Sequence, residues 1–541
     1  MATRKPRSGG KGITTGDAQA NAMLLAQDAN VRDVKSADLL KRLMLAYASA
    51  VNTDRAFVDW RDGLKPVSRR VLYALSKQTA KIKSAKVVGD ALGDYHPHSG
   101  EAIYGALVTM VNSGTAPATG LGNWGTPTDG CAAMRYTEAT MSEFGRSMFV
   151  GSYINRDVTP FVDNYDNTKK EPLVLPSLLP NVFFNGTSSI GVGLAARLPT
   201  FTPTSVLDVM VGVLDGQGFD PIRWAKTLKL FESWGGNLVR TRENMKAFVE
   251  FLKSPNGKGS LLFEMDHEVN DDNRTIVLRK CIPVGDTEKL IDKLRDLDIV
   301  RSVSQEGGKH TTVIRFVSGI NAAQFDSAVA KVKKMLTVRQ AYSITVLDRV
   351  PIDVNNPQEV KNKMLADDDF VVNFHSVGVP KLMGMWLKWR IQLERDSLTW
   401  RIKQIDSKID LLNLLIVAAD NKPIIMKALD TSDPAAYLMK AFKWSLDQAN
   451  TLLSRRIRQL SKADAGKFRD QLAQTLKVKT DLQRRLKNPK KEVRDFLANA
   501  RDAFALEQTG MGMDVYRLKS KISSLIAGAD ASETTDAALS D

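Results

Sequence analysis

A tyrosine acts as a nucleophile only with help, and the segment CAAMRYTEATMSEF, Cys131 to Phe144, sets Tyr136 directly after Arg135. A free phenol titrates near about 10, so attack by this side chain needs positive charge beside it, and a neighbouring guanidinium is such a charge. Taken alone, an Arg-Tyr dipeptide is commonplace, and a buried structural tyrosine remains the simpler reading. His96 and His98, in YHPHSGE, are two of only five histidines. Pro97 stiffens the pair and no Cys, Asp or third His follows at ligand spacing, so hydrogen bonding to phosphate or to core carbonyls is expected in place of metal binding. The acidic run Asp367, Asp368, Asp369 reads as a solvated loop. Gly120, Gly122 and Gly125 in GLGNWG satisfy G-x-G-x-x-G, but they stand between NSGTAPAT and TPTDG, which are turn formers and not the strand and helix of a dinucleotide site. These glycines are expected to make tight turns or to let backbone approach closely. Neither G-x-S-x-G nor G-x-x-x-x-G-K-[ST] occurs, which removes a nucleophile-elbow hydrolase and a P-loop nucleotidase from consideration.

Such residues need a scaffold, and 541 residues provide for three or four domains. Seventy-six Lys and Arg against 61 Asp and Glu leave a net charge of +15, with 43% hydrophobic residues. This is a globular composition with a basic balance, and it points to a polyanionic partner, nucleic acid first. Cys131 and Cys281 make neither a disulfide framework nor a zinc site, which fits a reducing cytosol and a cytoplasmic location. The start, MATRKPRSGGKGITTG, is polar and basic and reads as a disordered arm, not a signal peptide. The longest apolar run, LLNLLIVAA, is too short to span a bilayer.

The pattern of elements is α+β and mostly helical. Leu39, Leu40, Leu43 and Tyr47 recur at helical spacing after Ser36; a second helix after Pro66 sets Val67, Val71, Leu72 and Leu75 on one face and Arg69, Arg70 and Lys77 on the other. LFEMDHEV and RTIVLRKCIPV have strand character. Beyond Val379, Ile391, Leu398, Ile405 and Leu412 recur every seven residues, with Ile402, Ile409 and Ile416 as a second row. The pattern breaks at Asn421, Lys422 and Pro423; Leu453, Ile457 and Leu460 continue in a second helical region, and Phe468, Leu472, Leu482 and Leu486 give a return helix before Pro489. Two long helices around a helical knot predict an antiparallel coiled-coil arm, with an ordinary helical bundle as the alternative.

Four collinear segments carry a resemblance: RDGLKPVSRRVLYAL from Arg61, YHPHSGEAIY from Tyr95, GLGNWGTPTDGCAAMRYTE from Gly120, and NYDNTKKEPLVLPSLLPNVFFNGTSSIGVGLAARLP from Asn164. They resemble the A-type subunits of the type IIA DNA topoisomerases, which include those of gyrase and topoisomerase IV and the shorter bacteriophage medium subunits. The resemblance implies a winged-helix breakage-reunion domain over 33–163, a tower domain over 164–378 and a coiled-coil exit gate over 379–510, preceded by the basic arm of 1–32 and followed by a flexible acidic tail over 511–541. It implies that Tyr136 attacks a DNA phosphodiester to leave a 5′-phosphotyrosyl link, with Arg135, Arg55 and His98 at the same centre. Lys65, Arg69, Arg70 and His96 would contact DNA, and Ile190 would wedge into the minor groove, a core strand residue being its alternative. The implied partners are double-stranded DNA, a second copy of the chain and an ATPase/TOPRIM (B-type) subunit. Mg²⁺ and ATP would be held by that partner and neither by this chain.

Two departures qualify the resemblance. Ser99, Gly100, Glu101 and Gly105 replace the residues that usually follow the two histidines and carry quinolone contacts, so that drug sensitivity is not expected. No wrapping domain follows the helical arm, which favours the phage-type relaxing and decatenating enzyme. A gyrase-type chain with its wrapping domain on another polypeptide, or a non-catalytic dimeric DNA clamp, are the alternatives.

Overall fold

The structure is a computed structural model that describes residues 35–125, 130–231, 236–272, 274–278, 287–306, 311–351, 370–454, 462–508 and 514–526. The expected basic arm over 1–32, Cys281, the run Asp367, Asp368, Asp369, and Ile457 and Leu460 lie outside the described residues. The chain is mixed α and β. Its first described helix, α1 (Ser36–Val51), forms where the apolar spacing predicts, yet Leu39, Leu40, Leu43 and Tyr47 are all exposed and no residue of it is buried. It runs directly into a π-helical turn, Asn52–Ala56.

A compact unit follows. Helix α2 (Pro66–Ser76) opens on a proline, whose fixed φ suits a first helical position and whose missing N–H would be unpaired there anyway. It packs with α3 (Ser84–Asp94) and α4 (Gly100–Asn112) through Val71, Leu72 and Leu75, Val87, Val88 and Ala91, and Ile103 and Leu107, all buried. A small antiparallel sheet completes it: β1 (Ile82–Lys83), β2 (Ala118–Leu121) and β3 (Glu138–Met141) in the order β1-β3-β2, with Ala139 central between Ile82 and Gly120. The central strand therefore begins two residues after Tyr136. Further along, β4 (Ser188–Ile190) and β5 (Ala195–Arg197) form a short hairpin.

The middle of the chain holds two larger antiparallel sheets. Strands His267–Asn270, Thr275–Leu278, Thr311–Phe316 and Val300–Glu306 make one, and Thr337–Tyr342, Gly259–Met265 and Gly236–Leu238 the other. Leu261, Phe263 and Met265 are buried at every second position, as a strand with one covered face requires. Next, β6 (Thr345–Pro351) pairs with β7 (Phe370–Ser376).

Then comes α5 (Val379–Asp420), 42 residues and so about 60 Å long. It is paired with α6 (Lys462–Leu486). The pairing is antiparallel: Asp406 meets Lys479 and, farther along α5, Asp420 meets Arg469, both at 2.6 Å. Leu398 and Ile405 of the heptad row close on Leu482, with Ile402, Ile409 and Leu486 around them. Leu412 and Leu415 join Phe468 and Leu472 in a second cluster nearer the far end. The break falls at Asn421, where Lys422–Leu429 begins a new helix. At the root, buried charges are matched: Arg390 binds Glu394 at 2.9 Å, Glu394 also accepts the Tyr153 hydroxyl at 2.7 Å, and Arg485 binds Glu492 of α7 (Pro489–Ala503) at 2.8 Å.

The flexible acidic tail expected over 511–541 is corrected in its first part. Strand β8 (Phe504–Gln508) pairs with β9 (Asp514–Leu518), and Val515, Leu518, Ile522, Leu525 and Ile526 are buried. The acidic ending ASETTDAALSD masks these apolar residues; Val515 and Leu518 lie in β9, and Ile522, Leu525 and Ile526 recur at the helical spacing of three and four.

Candidate functional site

Tyr136 sits on a turn held rigidly from behind. The buried Thr137 hydroxyl donates to Ser84 Oγ at 2.8 Å and pairs with the Tyr104 hydroxyl at 2.9 Å, and Tyr104 in turn donates to the Ala132 carbonyl at 2.6 Å. The backbone is tied as well: Ser84 N–H donates to the Thr137 carbonyl and Ala85 N–H to that of Met134. With its neighbours bound to α3 and α4, Tyr136 itself is 64% exposed, which removes the buried structural reading. The Arg135 guanidinium carbon lies 4.6 Å from its ring centroid, the cation–π arrangement that adjacency allowed. One of the glycines upstream serves the same turn. Gly122, at φ +102°, passes the Tyr136 carbonyl so closely that a Cβ there would sit 3.3 Å from it.

The second group lies beyond the other end of α3. His96 and His98 meet edge to face with centroids 4.6 Å apart. Arg70 Nη1 stands 3.1 Å from His96 Nδ1 while its Nε and Nη2 grip the buried Glu171 carboxylate at 2.8 Å. Arginine can only donate, so His96 accepts at Nδ1 and carries its proton on Nε2. Burial, then the charges of Arg70, His98 and Arg55, hold His96 down at about 4 from an ordinary 6.5. Arg55 and His98 are exposed beside it. The sign is plain: the unfolded chain takes up this proton first on acidification, so neutral His96 adds stability that is complete above 6.5 and is lost as the pH falls toward 4. The imidazole resonance of His96 in an NMR titration is expected to move only near the lower value, and an ordinary midpoint would contradict the arrangement.

Arg69 does not share this surface. It is buried, with Nε 2.6 Å and Nη2 3.1 Å from the carboxylate of the wholly buried Asp62, which also accepts the N–H groups of Leu64 and Leu175. An arginine in the polar face of α2 was expected to reach DNA; the acid seven residues upstream turns it inward instead. Lys65 is half-buried, its pKa lowered by burial, and its Nζ donates to the Ser188 carbonyl at 3.0 Å.

That contact leads to the β4–β5 hairpin. Ile190 ends β4 and is 83% exposed, so it is no core strand residue. The turn beyond it is clasped by Asn52, whose Oδ1 accepts the Val192 N–H at 2.8 Å and whose Nδ2 donates to the Val192 carbonyl at 3.1 Å. Asn52, Glu171 and Asp62 were missed in the sequence. Their signal was faint: a polar residue inside an apolar helical run for Asn52, and single acids within basic or apolar motifs for the others.

Two clusters thus emerge, Arg135 with Tyr136 and Arg55 with Arg70, His96 and His98. Among the described residues no hydrogen bond or ring contact joins one to the other, and no group of three or more His, Cys, Asp or Glu is placed to hold a metal ion. No helix among them is long and apolar enough to cross a membrane.

The chain is 28% identical to the A subunit of DNA gyrase from Helicobacter pylori over 481 residues, 85% of this chain and 55% of that protein. It is 28% identical to the corresponding gyrase protein of Streptococcus pneumoniae over 484 residues, covering 86% and 56%. With the A subunit of DNA topoisomerase 4 from Pseudomonas aeruginosa the identity is 29% over 472 residues, covering 83% and 58%. The chain therefore spans little more than half the length of these curated relatives. The family model for the A subunit of DNA gyrase/topoisomerase IV matches residues 55–500, a span that runs from Arg55 in the π-helical turn into α7 and takes in both clusters and the hairpin, and the chain belongs to that family.

Proposed function

We propose that this chain is the DNA breakage-reunion subunit of an ATP-dependent type IIA topoisomerase that relaxes and decatenates DNA. The observation that carries the reading is Tyr136 itself: exposed, backed by Arg135 and fixed by buried hydrogen bonds on both sides. Its phenolic oxygen loses a proton and attacks a backbone phosphorus; the tyrosyl O–P bond forms, the P–O3′ bond breaks, and the departing oxygen takes up a proton as a 3′-hydroxyl. The phosphodiester energy is kept in the phosphotyrosine, so the reverse step reseals the strand. Arg135 stabilises negative charge on the phenolate or the phosphoryl oxygens, and His98 and Arg55 add donors on the same phosphate. Lys65, Arg70 and His96 support the backbone-contacting surface, and Arg69 supports it only through the fold.

The reading includes a homodimer. The Tyr136 turn is bonded to the N-terminal end of α3 while His96 and His98 follow its C-terminal end, and its 11 residues separate the two by about 16 Å. Arg135 and Tyr136 of one copy then complete a centre with Arg55 and His98 of the other. The long helical pair of α5 and α6 would form the second, exit interface. Mg²⁺ prefers oxygen ligands, and histidines standing beside Arg70 and Arg55 do not fit it. The metal, which would polarise phosphoryl oxygens, and ATP are assigned to a B-type partner subunit.

The test is direct. Denaturing the reaction of chain, partner subunit, Mg²⁺ and plasmid in mid-course is expected to leave protein attached to DNA 5′ ends, and wild-type chain without any such adduct would sink the catalytic reading.

A further inference from the structure

We infer that Asn52 is a positioning residue that locks the Ile190 wedge in register with Arg55, so that DNA bending and the cleavage centre are set by one amide. The inference rests on the reading of Ile190 as a wedge. Asn52 opens the π-helical turn that carries Arg55, and it is buried. Its side chain mimics a strand partner, accepting from and donating to the same residue, Val192, at 2.8 and 3.1 Å. Among the described residues no other side chain is bonded to the tip of the hairpin, Gly191 to Leu194; the remaining ties are at its base, through Lys65 and Arg197. The fit is close, since a Cβ on Gly191 would overlap Asn52 Oδ1 and Phe57.

The turn is also braced from its other side. Arg349 of β6 donates to the Thr53 carbonyl at 3.0 Å and pairs with Asp54, and Thr53 Oγ1 donates back to the Ser49 carbonyl at 2.9 Å. A π turn closes its hydrogen bond over five residues where an α-helix closes it over four, here from Phe57 N–H to the Asn52 carbonyl, and such turns recur at functional sites. Here the extra residue lets Asn52 face the hairpin while Arg55 stays exposed. A wedge helps only if it enters the duplex at a set distance from the bond being cut. A loosely held tip would still touch DNA and would not bend it at the right step.

The chemistry demands an amide. Leucine has neither donor nor acceptor, and an ionised aspartate keeps the acceptor for the Val192 N–H but sets a negative charge against the Val192 carbonyl. A protonated aspartic acid supplies both again. The experiment reads the bend of an end-labelled duplex by energy transfer, with full-length chain and partner subunit, in a Tyr136→Phe background so that no outcome depends on cleavage. Ile190→Ala is expected to lose most of the bend. Asn52→Leu is expected to lose as much, with DNA affinity within about threefold of the parent. Asn52→Asp sets a buried carboxyl against the Val192 carbonyl; burial and that carbonyl both disfavour the ionised form and hold its proton well above the usual aspartate range. This variant is therefore expected to lose the bend at about pH 8 and regain it at about pH 5, relative to the parent at each pH, because only the protonated acid restores the donor. This rescue is something a general loss of stability would not show, and it decides the matter if Asn52→Leu melts. A folded Asn52→Leu that bends like the parent beside an Ile190→Ala that does not, or an Asn52→Asp whose bend ignores pH, overturns the coupling alone. An Ile190→Ala that bends normally overturns the wedge reading and this inference with it, while leaving the role of Tyr136 standing.

Discussion

Tyr136→Phe, assembled with the partner subunit, Mg²⁺ and ATP, is expected to form no covalent DNA adduct and to relax plasmid at least about 10⁴-fold more slowly, with DNA affinity nearly unchanged. The change is confined to one oxygen. A phenyl ring still lies under the Arg135 guanidinium, and the bonds of Thr137, Tyr104 and Ser84 that hold the turn do not involve the hydroxyl of residue 136. The same variant separates a centre built within one chain from one shared between two. If Tyr136 of one copy works with His98 of the other, a heterodimer of Tyr136→Phe and His98→Ala chains keeps one intact centre and nicks one strand. If both come from one chain, neither centre is intact and no nick appears. Nicked plasmid from the mixture, absent from each variant alone, is the outcome expected from the length of α3.

Arg69→Met is expected to destabilise the chain by about 3–5 kcal/mol, lowering its melting temperature by roughly 3–5 °C. Methionine fills much of the space, but it strands the Asp62 carboxylate, which is wholly buried and keeps only the two backbone N–H donors of Leu64 and Leu175. Converting Asp62 to Leu in the same chain removes the stranded charge and is expected to recover part of the loss. Below the melting transition, the salt dependence of DNA binding should match the parent, because a buried arginine releases no counterion from phosphate. A slope shallower by about one with an unaltered melting temperature would return Arg69 to the DNA surface.

That contrast shows where a sequence is legible. Helices α2, α5 and α6 and the strands around Phe263 and Ile276 follow from apolar periodicity, since burial rewards it directly, and the break at Asn421 follows from Pro423; α1 keeps the helical spacing although none of its residues is buried. Tyr136, Arg55, His98 and Ile190 were singled out on motif resemblance and are exposed. Charge is harder to read. Arg69 and Arg70 are adjacent on α2, yet Asp62 turns one inward and Glu171, a hundred residues on, orients the other toward His96. No local pattern announces a partner that distant. The anchored segment from Asp514 onward was hidden for a similar reason, because its apolar residues find their cover on the first part of the chain.

That anchoring bears on how the protein is made. Ile522 N–H donates to the Glu143 carboxylate at 3.1 Å, Tyr516 N–H to the Gly114 carbonyl at 2.7 Å, and Leu518, Ile522 and Leu525 belong to the same core as Leu72 and Phe144. A ribosome adding about 5–20 residues per second needs roughly 20 to 80 s to travel from the α4 region to that anchored segment. During that interval the nascent unit around Tyr136 has an incomplete core, with apolar surface open to chaperones and to neighbouring chains. Completion comes only after the whole helical arm has been synthesised, so the turn that carries Tyr136 waits for residues translated long after its own.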